Sequence, residues 1–411
     1  MAEKIILPTG RGALLLEAHP DGCAASVDLL ADTVRPAPHE ARAGQRPVAL
    51  VIGSSAGYGL AATLTAIERH GMNGIGVSLE RPADARRTAT PGFYRTARTA
   101  GIAARRGVDF GFLNADCFTD AAKHQALDLI AARFGRVDHL VYSVAAPRRR
   151  DPRTGVLHQS VIKPLGTPHT TKSLVFGEDG PASTAGLGLG EQTVPAASED
   201  ERAATVRVMG GDDWAAWVHA IVARGLAGPR FNTVALSYVG PEMTAPIYRR
   251  GTIGSAKDHV EQTGRRLHEE LLAPRGAAAY TAVLGVAVTQ ASTAIPGTGL
   301  YTAVIRKILG GQLQSPVEQL SRLWDQLTGA EPSDRDEHGR IRLDRWELDP
   351  RVQDAAARAW AELSEENLRA HADVEWLRAQ VLGLYGFGID GIDYGAPVET
   401  DAAWPEFAIV R

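Results

Sequence analysis

Cysteine and long apolar runs are scarce in this chain of 411 residues, and their scarcity excludes several classes of protein. Two cysteines, Cys23 and Cys117, are too few for a disulfide scaffold or a multi-cysteine zinc site. The chain also lacks the His-x3-His and Cys-x2-Cys spacings of common metal sites. No apolar run reaches the ~18 residues of a membrane-spanning helix, and the first residues lack the apolar core of a signal peptide. We therefore expect a cytoplasmic protein that holds no metal.

An excess of charge of one sign is also missing. Lysine and arginine number 44, aspartate and glutamate 48, so the formal net charge is only −4. This balance argues against a dedicated nucleic-acid-binding protein. Hydrophobic residues make up 44% and charged residues 22%, as in ordinary globular proteins, and the length suits two or three structural units.

Short apolar segments alternate with helical ones along much of the chain. The predicted strands are 47–52, 74–79, 108–113, 139–143, 233–238 and 278–288, and the predicted helices are 61–70, 121–134, 203–209, 212–223 and 256–272. Because the strands are apolar on both faces, they predict a parallel sheet covered by helices on both sides. The predicted fold class is α/β with a Rossmann-type, mostly parallel sheet.

The same pattern divides the chain into five segments. They are an N-terminal extension at 1–45, a dinucleotide-binding core at 46–146, a polar and irregular lid or substrate-binding insertion at 147–232, a segment with the last core strand at 233–300, and a mainly helical C-terminal part at 301–411. Within the extension, 5–7 and 13–16 predict a β-hairpin, 26–31 a short helix and 35–45 a connector.

The strongest local signal is a glycine-rich loop between the first predicted strand of the core and the helix that follows. It reads Gly53-Ser54-Ser55-Ala56-Gly57-Tyr58-Gly59, the Gly-x3-Gly-x-Gly spacing of short-chain dehydrogenases. Glycines there permit a tight turn, and backbone N–H groups approach a pyrophosphate at the helix N-terminus. Glu80 ends the next strand, where a carboxylate accepts hydrogen bonds from the adenosine ribose and favours NAD. Its neighbour Arg81 suits the 2′-phosphate of NADP, so the sequence does not decide between the two cofactors.

Two other interpretations of this loop remain open. Gly53 to Gly57 also matches Gly-x-Ser-x-Gly, the nucleophile elbow of α/β-hydrolases, with Ser55 as nucleophile. A hydrolase gives Gly59 and Glu80 no role, which counts against it. The second alternative is a protein that binds NADH as a sensor without turnover.

A tyrosine and a lysine provide a candidate for the chemistry. Hydride transfer needs a group that stabilises charge on oxygen, and a Tyr whose pKa is lowered by a nearby Lys suits this. Tyr248 and Lys257 are separated by eight residues, too wide for adjacent helical turns. The spacing fits if Tyr248 precedes a helix, Gly251 or Gly254 shapes the turn, and Lys257 lies in the first turns.

Longer motifs carry a specific resemblance. The segment 237–257 reads Ser-Tyr-Val-Gly-Pro-Glu-x-Thr-x-Pro-Ile-Tyr-x-x-Gly-Thr-Ile-Gly-x-Ala-Lys. Together with the glycine loop, Met209-Gly210-Gly211-x-Asp213-Trp214 and Tyr385-Gly386-Phe387-Gly388, it resembles the trans-2-enoyl-CoA and FabV-type enoyl-acyl-carrier-protein reductases. The resemblance runs over nearly the whole chain.

This resemblance implies roles for individual residues. Tyr248 is the catalytic tyrosine, Lys257 holds the cofactor and tunes Tyr248, and Tyr238 lies beside the substrate thioester. The implied NADH-binding residues are Gly53, Ser54, Ser55, Ala56, Gly57, Tyr58, Leu79, Glu80, Asp116, Cys117, Val144, Ala145, Lys257, Val288, Thr289 and Gln290. The family is typically monomeric, prefers NADH and needs no metal or flavin.

The implied reaction is NADH-dependent reduction of the C2=C3 double bond of a trans-2-enoyl thioester, the final step of fatty-acid elongation. The partner is an enoyl-CoA or enoyl-acyl-carrier-protein substrate. The basic run 148–153 would meet coenzyme A phosphates or an acidic carrier protein, or else lie in solvent. The carrier and the acyl chain length stay open.

Overall fold

A seven-stranded parallel sheet runs through the computed structural model, which describes residues 3–37, 46–177, 180–183 and 187–405. Residues 38–45 of the predicted connector lie outside the described residues. The strands are β1 Gly10–Arg11, β2 Leu14–Leu15, β3 Val48–Ile52, β4 Asn73–Ser78, β5 Phe110–Asn114, β6 Val137–Tyr142, β7 Arg148–Arg150, β8 Leu157–Gln159, β9 His169–Val175, β10 Gly188–Val194, β11 Ala227–Ser237, β12 Ala278–Val283 and β13 Ile341–Arg342.

Helices flank this sheet and build the parts beyond it. They are α1 Pro20–Thr33, α2 Gly57–Glu68, α3 Pro91–Arg105, α4 Asp120–Arg133, α5 Glu199–Met209, α6 Asp212–Ala223, α7 Thr252–Arg266, α8 Thr298–Leu309, α9 Pro316–Thr328, α10 Pro350–Glu362, α11 Leu368–His371 and α12 Val374–Gly383. A π-helical segment, Leu267–Leu272, extends α7. No helix in the described ranges is long and apolar enough to cross a membrane.

The order of the sheet strands places the site. The order is β13-β12-β11-β6-β3-β4-β5, with every pairing parallel. The chain moves outward from β3 to β5 and then returns to β6 on the other side of β3. In such sheets a ligand binds at this reversal, beyond the carboxyl ends of the strands. The predicted Rossmann-type, mostly parallel sheet is confirmed.

Two apolar layers cover the sheet. Side chains of α2 and α9 pack on one face, and those of α4, α6 and α7 pack on the other. All five residues of β3 are buried, as expected for a strand covered on both faces. A third apolar cluster joins α8, α10 and α12 to the β9–β10 hairpin, and it forms the part of the molecule beyond β12.

The N-terminal hairpin and the sheet edge differ from the prediction. The hairpin pairs Gly10–Arg11 with Leu14–Leu15, whereas 5–7 forms no strand. Gly12, at φ +59°, begins the two-residue turn and sets this register. The helix predicted at 26–31 is more than twice as long, running over 14 residues, and His19 caps its start. The C-terminal part adds β13 to the sheet, so β12 is not the last core strand.

The polar insertion is less irregular than predicted. It contains two antiparallel hairpins, β7–β8 and β9–β10. Most residues of β9 are half-buried, so the strand lacks the apolar alternation that would have revealed it. The helix α3 was also not predicted, since two glycines interrupt its pattern.

Candidate active site

The glycine loop after β3 is packed too tightly for side chains. A Cβ on Gly53 would lie 2.0 Å from the Ser143 carbonyl oxygen, and φ there is +87°. A Cβ on Gly59 would lie 1.8 Å from the Gly53 carbonyl oxygen. The loop therefore presses against the end of β6 and turns at once into α2, as the Gly-x3-Gly-x-Gly spacing predicted.

The N-terminus of α2 is suited to a pyrophosphate. Its N-cap, Ala56, has no side-chain oxygen to bind the free N–H groups of the first turn. These groups carry the positive end of the helix dipole and face an anion well. The residues present thus fit a dinucleotide.

A cavity of about 530 Å³ opens beside this loop at the carboxyl ends of β3, β4, β5 and β6. The predicted cofactor residues that line it are Gly53, Ser55, Ala56, Gly57, Tyr58, Leu79, Glu80, Asp116, Cys117, Val144, Ala145, Thr289 and Gln290. We call it the cofactor cavity. Three predicted residues lie elsewhere. Ser54 is buried behind the loop, Val288 lines another cavity, and Lys257 lines the catalytic cleft described below.

Glu80 is held at the edge of the cofactor cavity by two hydroxyl groups. Ser55 Oγ donates to its Oε1 at 2.5 Å, and Thr90 Oγ1 donates to its Oε2. Arg81 points its guanidinium elsewhere, donating to the Thr88 carbonyl oxygen at 3.0 Å. A fixed carboxylate with the arginine already engaged favours ribose hydroxyls over a 2′-phosphate. Ser55 bonds an acid here, which is not how a hydrolase nucleophile is activated.

A buried ion pair fixes the loop after β5. Lys123 Nζ donates to Asp213 Oδ1 at 2.7 Å and to the Cys117 carbonyl oxygen at 2.9 Å. Both charged side chains are almost fully buried. Burial raises the pKa of the Cys117 thiol, so the group stays protonated at neutral pH and lines the cavity without acting as a nucleophile.

A smaller cavity of about 160 Å³, the catalytic cleft, adjoins the cofactor cavity. The two share Tyr58, Ser143, Val144, Ala145, Thr289 and Ala291. The cleft contains Tyr238, Tyr248 and Lys257 together. As predicted, Tyr248 precedes the helix and Lys257 lies in its first turns, since α7 begins at Thr252.

The charges in the cleft differ from the sequence expectation. Burial raises the pKa of Tyr248, and Arg249 offsets this only in part. Lys257 Nζ donates to the Leu236 carbonyl oxygen at 3.2 Å, and burial lowers the pKa of Lys257 to about 8. The expected lowering of the Tyr248 pKa by Lys257 is therefore wrong for this arrangement, because the ammonium bonds a strand carbonyl instead of the phenol.

Tyr238 lies against Tyr248, but its hydroxyl is already engaged. The two rings meet edge to face with centroids 4.9 Å apart. The Tyr238 hydroxyl donates to Glu347 Oε1 at 2.6 Å. Sequence reasoning did not find Glu347, nor Thr90 beside Glu80. Glu347 is 109 residues from Tyr238. Thr90 follows Glu80 by ten residues, but no local pattern marks it as a partner of that acid.

A third cavity of about 430 Å³ lies on the other side of the catalytic cleft and shares Ser292 and Ile295 with it. We call it the outer cavity. It is lined by Gly12, Ala13, Ser173, Leu174, Val175, Phe176, Glu191, Gln192, Val288, Ser292, Thr293, Ile295, Gly297, Gly299, Leu300, Thr302, Leu377 and Val381. The N-terminal hairpin, the β9–β10 hairpin, α8 and α12 thus build one mixed apolar and polar chamber.

Comparison with known families agrees with this geometry. The model for the trans-2-enoyl-CoA reductase catalytic region matches residues 87–328, and that family's NAD(P)H-binding domain matches residues 5–85. The chain belongs to the trans-2-enoyl-CoA reductase family. It is an NADH-dependent oxidoreductase, and the hydrolase and sensor interpretations are wrong.

Relatives of this reductase match it over almost its whole length. An enoyl-[acyl-carrier-protein] reductase [NADH] of Streptomyces avermitilis is 54% identical over 97% of this chain and 99% of its own. A protein of the same name from Opitutus terrae is 42% identical over 96% and 98%. The crystal structure of Treponema denticola trans-2-enoyl-CoA reductase in complex with NAD is 36% identical, with a TM-score of 0.88 over 96% of this chain and 98% of that one.

A further family model, the enoyl reductase FAD binding domain, matches residues 335–398 of this reductase. The described residues there do not fit a flavin dinucleotide. A Rossmann-type flavin site binds the pyrophosphate at a glycine loop between a strand and a helix. The two-residue strand β13 instead ends in Arg342, whose guanidinium is bound by Asp344 at 2.7 Å. Gly386 is pressed against the backbone of α1, where its Cβ would lie 2.5 Å from the Cys23 nitrogen.

Proposed function

We propose that this reductase acts on trans-2-enoyl thioesters through Tyr248, with the cofactor bound from Glu80 to the catalytic cleft. The observation that carries the proposal is the continuity of the two cavities. The cofactor cavity begins at Glu80 and passes the glycine loop, and it shares walls with the cleft that holds Tyr248 and Lys257. A nicotinamide at the far end of the cofactor would therefore lie beside the phenol.

The residues of the cleft then have distinct tasks. When bound, the nicotinamide supplies the hydride for C3 of the substrate. Negative charge develops on the thioester oxygen, and the Tyr248 hydroxyl donates a hydrogen bond to it. The enolate then takes a proton at C2, delivered by Tyr248 and restored to it from solvent, which gives the saturated thioester. A buried donor of this kind is worth about 3 kcal/mol of barrier, because the cleft excludes competing water. Because its pKa is raised, Tyr248 keeps its proton at neutral pH and remains a donor.

The cofactor site is proposed to extend over the predicted residues. Backbone N–H groups of the Gly53 to Gly59 loop hold the pyrophosphate, Glu80 the adenosine ribose, and Asp116 and Cys117 line the adenine end. Lys257 holds the nicotinamide ribose. The support is their position on the walls of two adjoining cavities.

The carrier of the acyl group is proposed to be coenzyme A or acyl carrier protein, and the reaction to be the last step of fatty-acid elongation. The family model refers to coenzyme A and the curated relatives to acyl carrier protein. Arg148 and Arg150 are exposed, and Arg148 lines the cofactor cavity. Arg149 is buried and bonds the Arg207 carbonyl oxygen, so it does not join a docking surface.

We further propose a cytoplasmic monomer. Cys23 and Cys117 are both free, which suits a compartment that keeps thiols reduced. Light scattering coupled to size exclusion would measure the mass in solution. A mass of twice 43.8 kDa would contradict the monomer.

The test of the reaction is oxidation of NADH followed at the nicotinamide absorbance. Crotonyl-CoA is the first substrate, with longer enoyl groups on acyl carrier protein beside it and NADPH in parallel. We expect loss of NADH that depends on the enoyl thioester. Tyr248→Phe should bind NADH as the parent does and lower kcat about 100-fold or more, the scale of a lost oxyanion donor. Turnover near that of the parent would move the catalytic role away from Tyr248.

A further inference from the structure

A buried carboxylate joins the walls of the catalytic cleft. Glu347 lies in the loop between β13 and α10 and is 0% exposed. Its Oε1 accepts hydrogen bonds from the hydroxyls of Tyr238 at 2.6 Å and Tyr301 at 2.9 Å. Its Oε2 accepts the Val286 backbone N–H at 2.6 Å. One side chain thus connects the ends of β11 and β12 with α8, and two of its three partners line the cleft.

This carboxylate is expensive to bury. Within the described part of the chain Glu347 makes no ion pair, since the nearby Arg342 is bound by Asp344 and Asp336. Burying a carboxylate with hydrogen bonds but no cation is costly, and an apolar residue would fill the same space more cheaply. A group retained at such a cost indicates a task beyond packing.

The two tyrosines of the cleft differ in what binds their hydroxyls. Tyr238 donates to Glu347, and Gly240 packs so closely on its ring that a Cβ there would lie 2.7 Å from Cε1. The Tyr248 hydroxyl forms no hydrogen bond with any described residue. The rings touch edge to face, so the position of one constrains the other.

We propose that Glu347 is a positioning residue for the reduction. Through its hydrogen bond it holds the Tyr238 ring against Tyr248, so that the Tyr248 hydroxyl stays directed at the thioester oxygen, and it fixes the cleft wall at Val286. The inference rests on the proposed function, because it assigns the thioester oxygen to Tyr248.

The role of Glu347 can be tested through the pH dependence of the reaction kinetics. Burial raises its pKa to about 7, with Asp344 of its own loop acting in the same direction. The titratable groups that face it are Tyr238 after β11, Tyr301 on α8, and Tyr58 and Tyr248 across the cleft. All four tyrosines titrate far above neutrality, since their pKa values are raised by burial and by Glu347. Lys257 in the same cleft has a pKa of about 8, so a change of kcat/KM near pH 7 reports Glu347 when it disappears in Glu347→Gln.

The experiment compares Glu347→Gln, Tyr238→Phe, their combination and Tyr301→Phe in the full chain. Glu347→Gln and Tyr238→Phe should each lower kcat about tenfold with crotonyl-CoA, the size of one hydrogen bond, and leave the KM for NADH unchanged. The double variant should lose no more than either single variant, because both remove the same contact. Glu347→Gln should also abolish the change of kcat/KM for crotonyl-CoA near pH 7. Glu347→Asp should recover part of the lost kcat where Glu347→Gln does not.

Tyr301→Phe is the matched control, because it removes a hydroxyl from the same carboxylate oxygen outside the cleft. A loss of kcat equal to that of Tyr238→Phe would overturn the proposal in favour of a purely structural role. Losses that multiply in the double variant would show that Tyr238 acts on the substrate itself, and would also overturn it. Should Glu347→Gln fail to fold, the comparison of Tyr238→Phe with Tyr301→Phe still decides.

A different result would contradict the proposed function itself. If Tyr248→Phe retains the turnover of the parent, the assignment of Tyr248 is wrong whatever Glu347 does. If Tyr248→Phe is inactive while Glu347→Gln has the kcat and pH profile of the parent, only the role of Glu347 is wrong.

Discussion

The two ends of the active site are built in opposite ways. At the cofactor end, the Gly53 to Gly59 loop and Glu80 belong to one β–α–β unit, in which local turns and backbone groups form the cavity wall. At the catalytic end, Tyr238 and Glu347 are 109 residues apart in sequence and meet through a single hydrogen bond. The cofactor end therefore depends on the absence of side chains at fixed positions, and the catalytic end on side chains brought together by the whole fold.

The contrast extends to charge. The cofactor end uses a helix N-terminus and a carboxylate at the cavity edge, where neither charge has to be buried deeply. The catalytic end encloses the half-buried Lys257 and the buried Glu347, whose pKa values are moved toward neutrality to about 8 and about 7. Buried groups that titrate near the working pH are typical of catalytic clefts, whereas binding sites for phosphates do without them.

The same glycine substitution should have opposite effects at the cofactor cavity and the outer cavity. Gly59→Ala places a Cβ 1.8 Å from a carbonyl oxygen, and the backbone must shift. The gain of about 1 kcal/mol from helix propensity does not offset an overpacking cost of about 1–3 kcal/mol and a displaced loop. We expect a lower free energy of unfolding in urea and loss of NADH binding by titration calorimetry.

Gly299→Ala is the control at the outer cavity. Its Cβ would meet only Leu377 at 3.6 Å, an ordinary contact, so stability should be unchanged or slightly higher. Equal destabilisation by both substitutions would contradict the view that the glycine loop is packed more tightly than the wall of the outer cavity at Gly299.

The next largest effect concerns Lys257 and pH. Its pKa in the folded chain is about 8, so the ammonium is lost as the pH rises above 8. If this charge holds the nicotinamide ribose, kcat/KM for NADH should fall up to tenfold per pH unit from 8 to 10. Lys257→Met should have a low kcat/KM for NADH at every pH and should not show the fall between pH 8 and pH 10. A pH-independent kcat/KM in the parent would remove Lys257 from cofactor binding.

Stability should move in the other direction over this range. The lowered pKa of Lys257 means that the unfolded chain binds more protons than the folded chain between about pH 8 and the ordinary lysine pKa. The contribution of Lys257 to the free energy of unfolding therefore rises with pH while activity falls. Denaturation in urea at pH 8 and pH 10, compared with Lys257→Met, measures that contribution.

Much of the cofactor end could be predicted from sequence, because each step depends on neighbours in the chain. The sequence shows in order the strand β3, the glycine loop, α2 and Glu80. The apolar runs of the strands predict the parallel sheet. The resemblance in segment 237–257 supplied Tyr248 and Lys257, and the turn before α7 has the form that their spacing required.

The remaining features could not be predicted from the sequence, because they depend on contacts that only the fold creates. An acid such as Glu347, next to Trp346 and close to Arg345, looks like a surface residue until the fold surrounds it. The strands β9 and β10 escaped prediction because half-buried hairpins do not need a strict apolar alternation. The pKa of Tyr248 was expected to be lowered, since the sequence does not show that Lys257 would bond the Leu236 carbonyl.

The smallest expected effect tests whether the cofactor end depends only on residues of its own β–α–β unit. Thr90 reaches Glu80 from the start of α3, outside the β–α–β unit, and donates to its Oε2. Thr90→Val keeps the shape but removes this donor, and Ser55 still holds the other oxygen. We expect the preference for NADH over NADPH, measured as a ratio of kcat/KM values, to fall about three- to tenfold, the size of one hydrogen bond. Thr96→Val is the control, because its hydroxyl bonds the Gly92 carbonyl of the same helix. An unchanged ratio in Thr90→Val would mean that Ser55 alone orients Glu80, and the cofactor end would then be complete within its local motif.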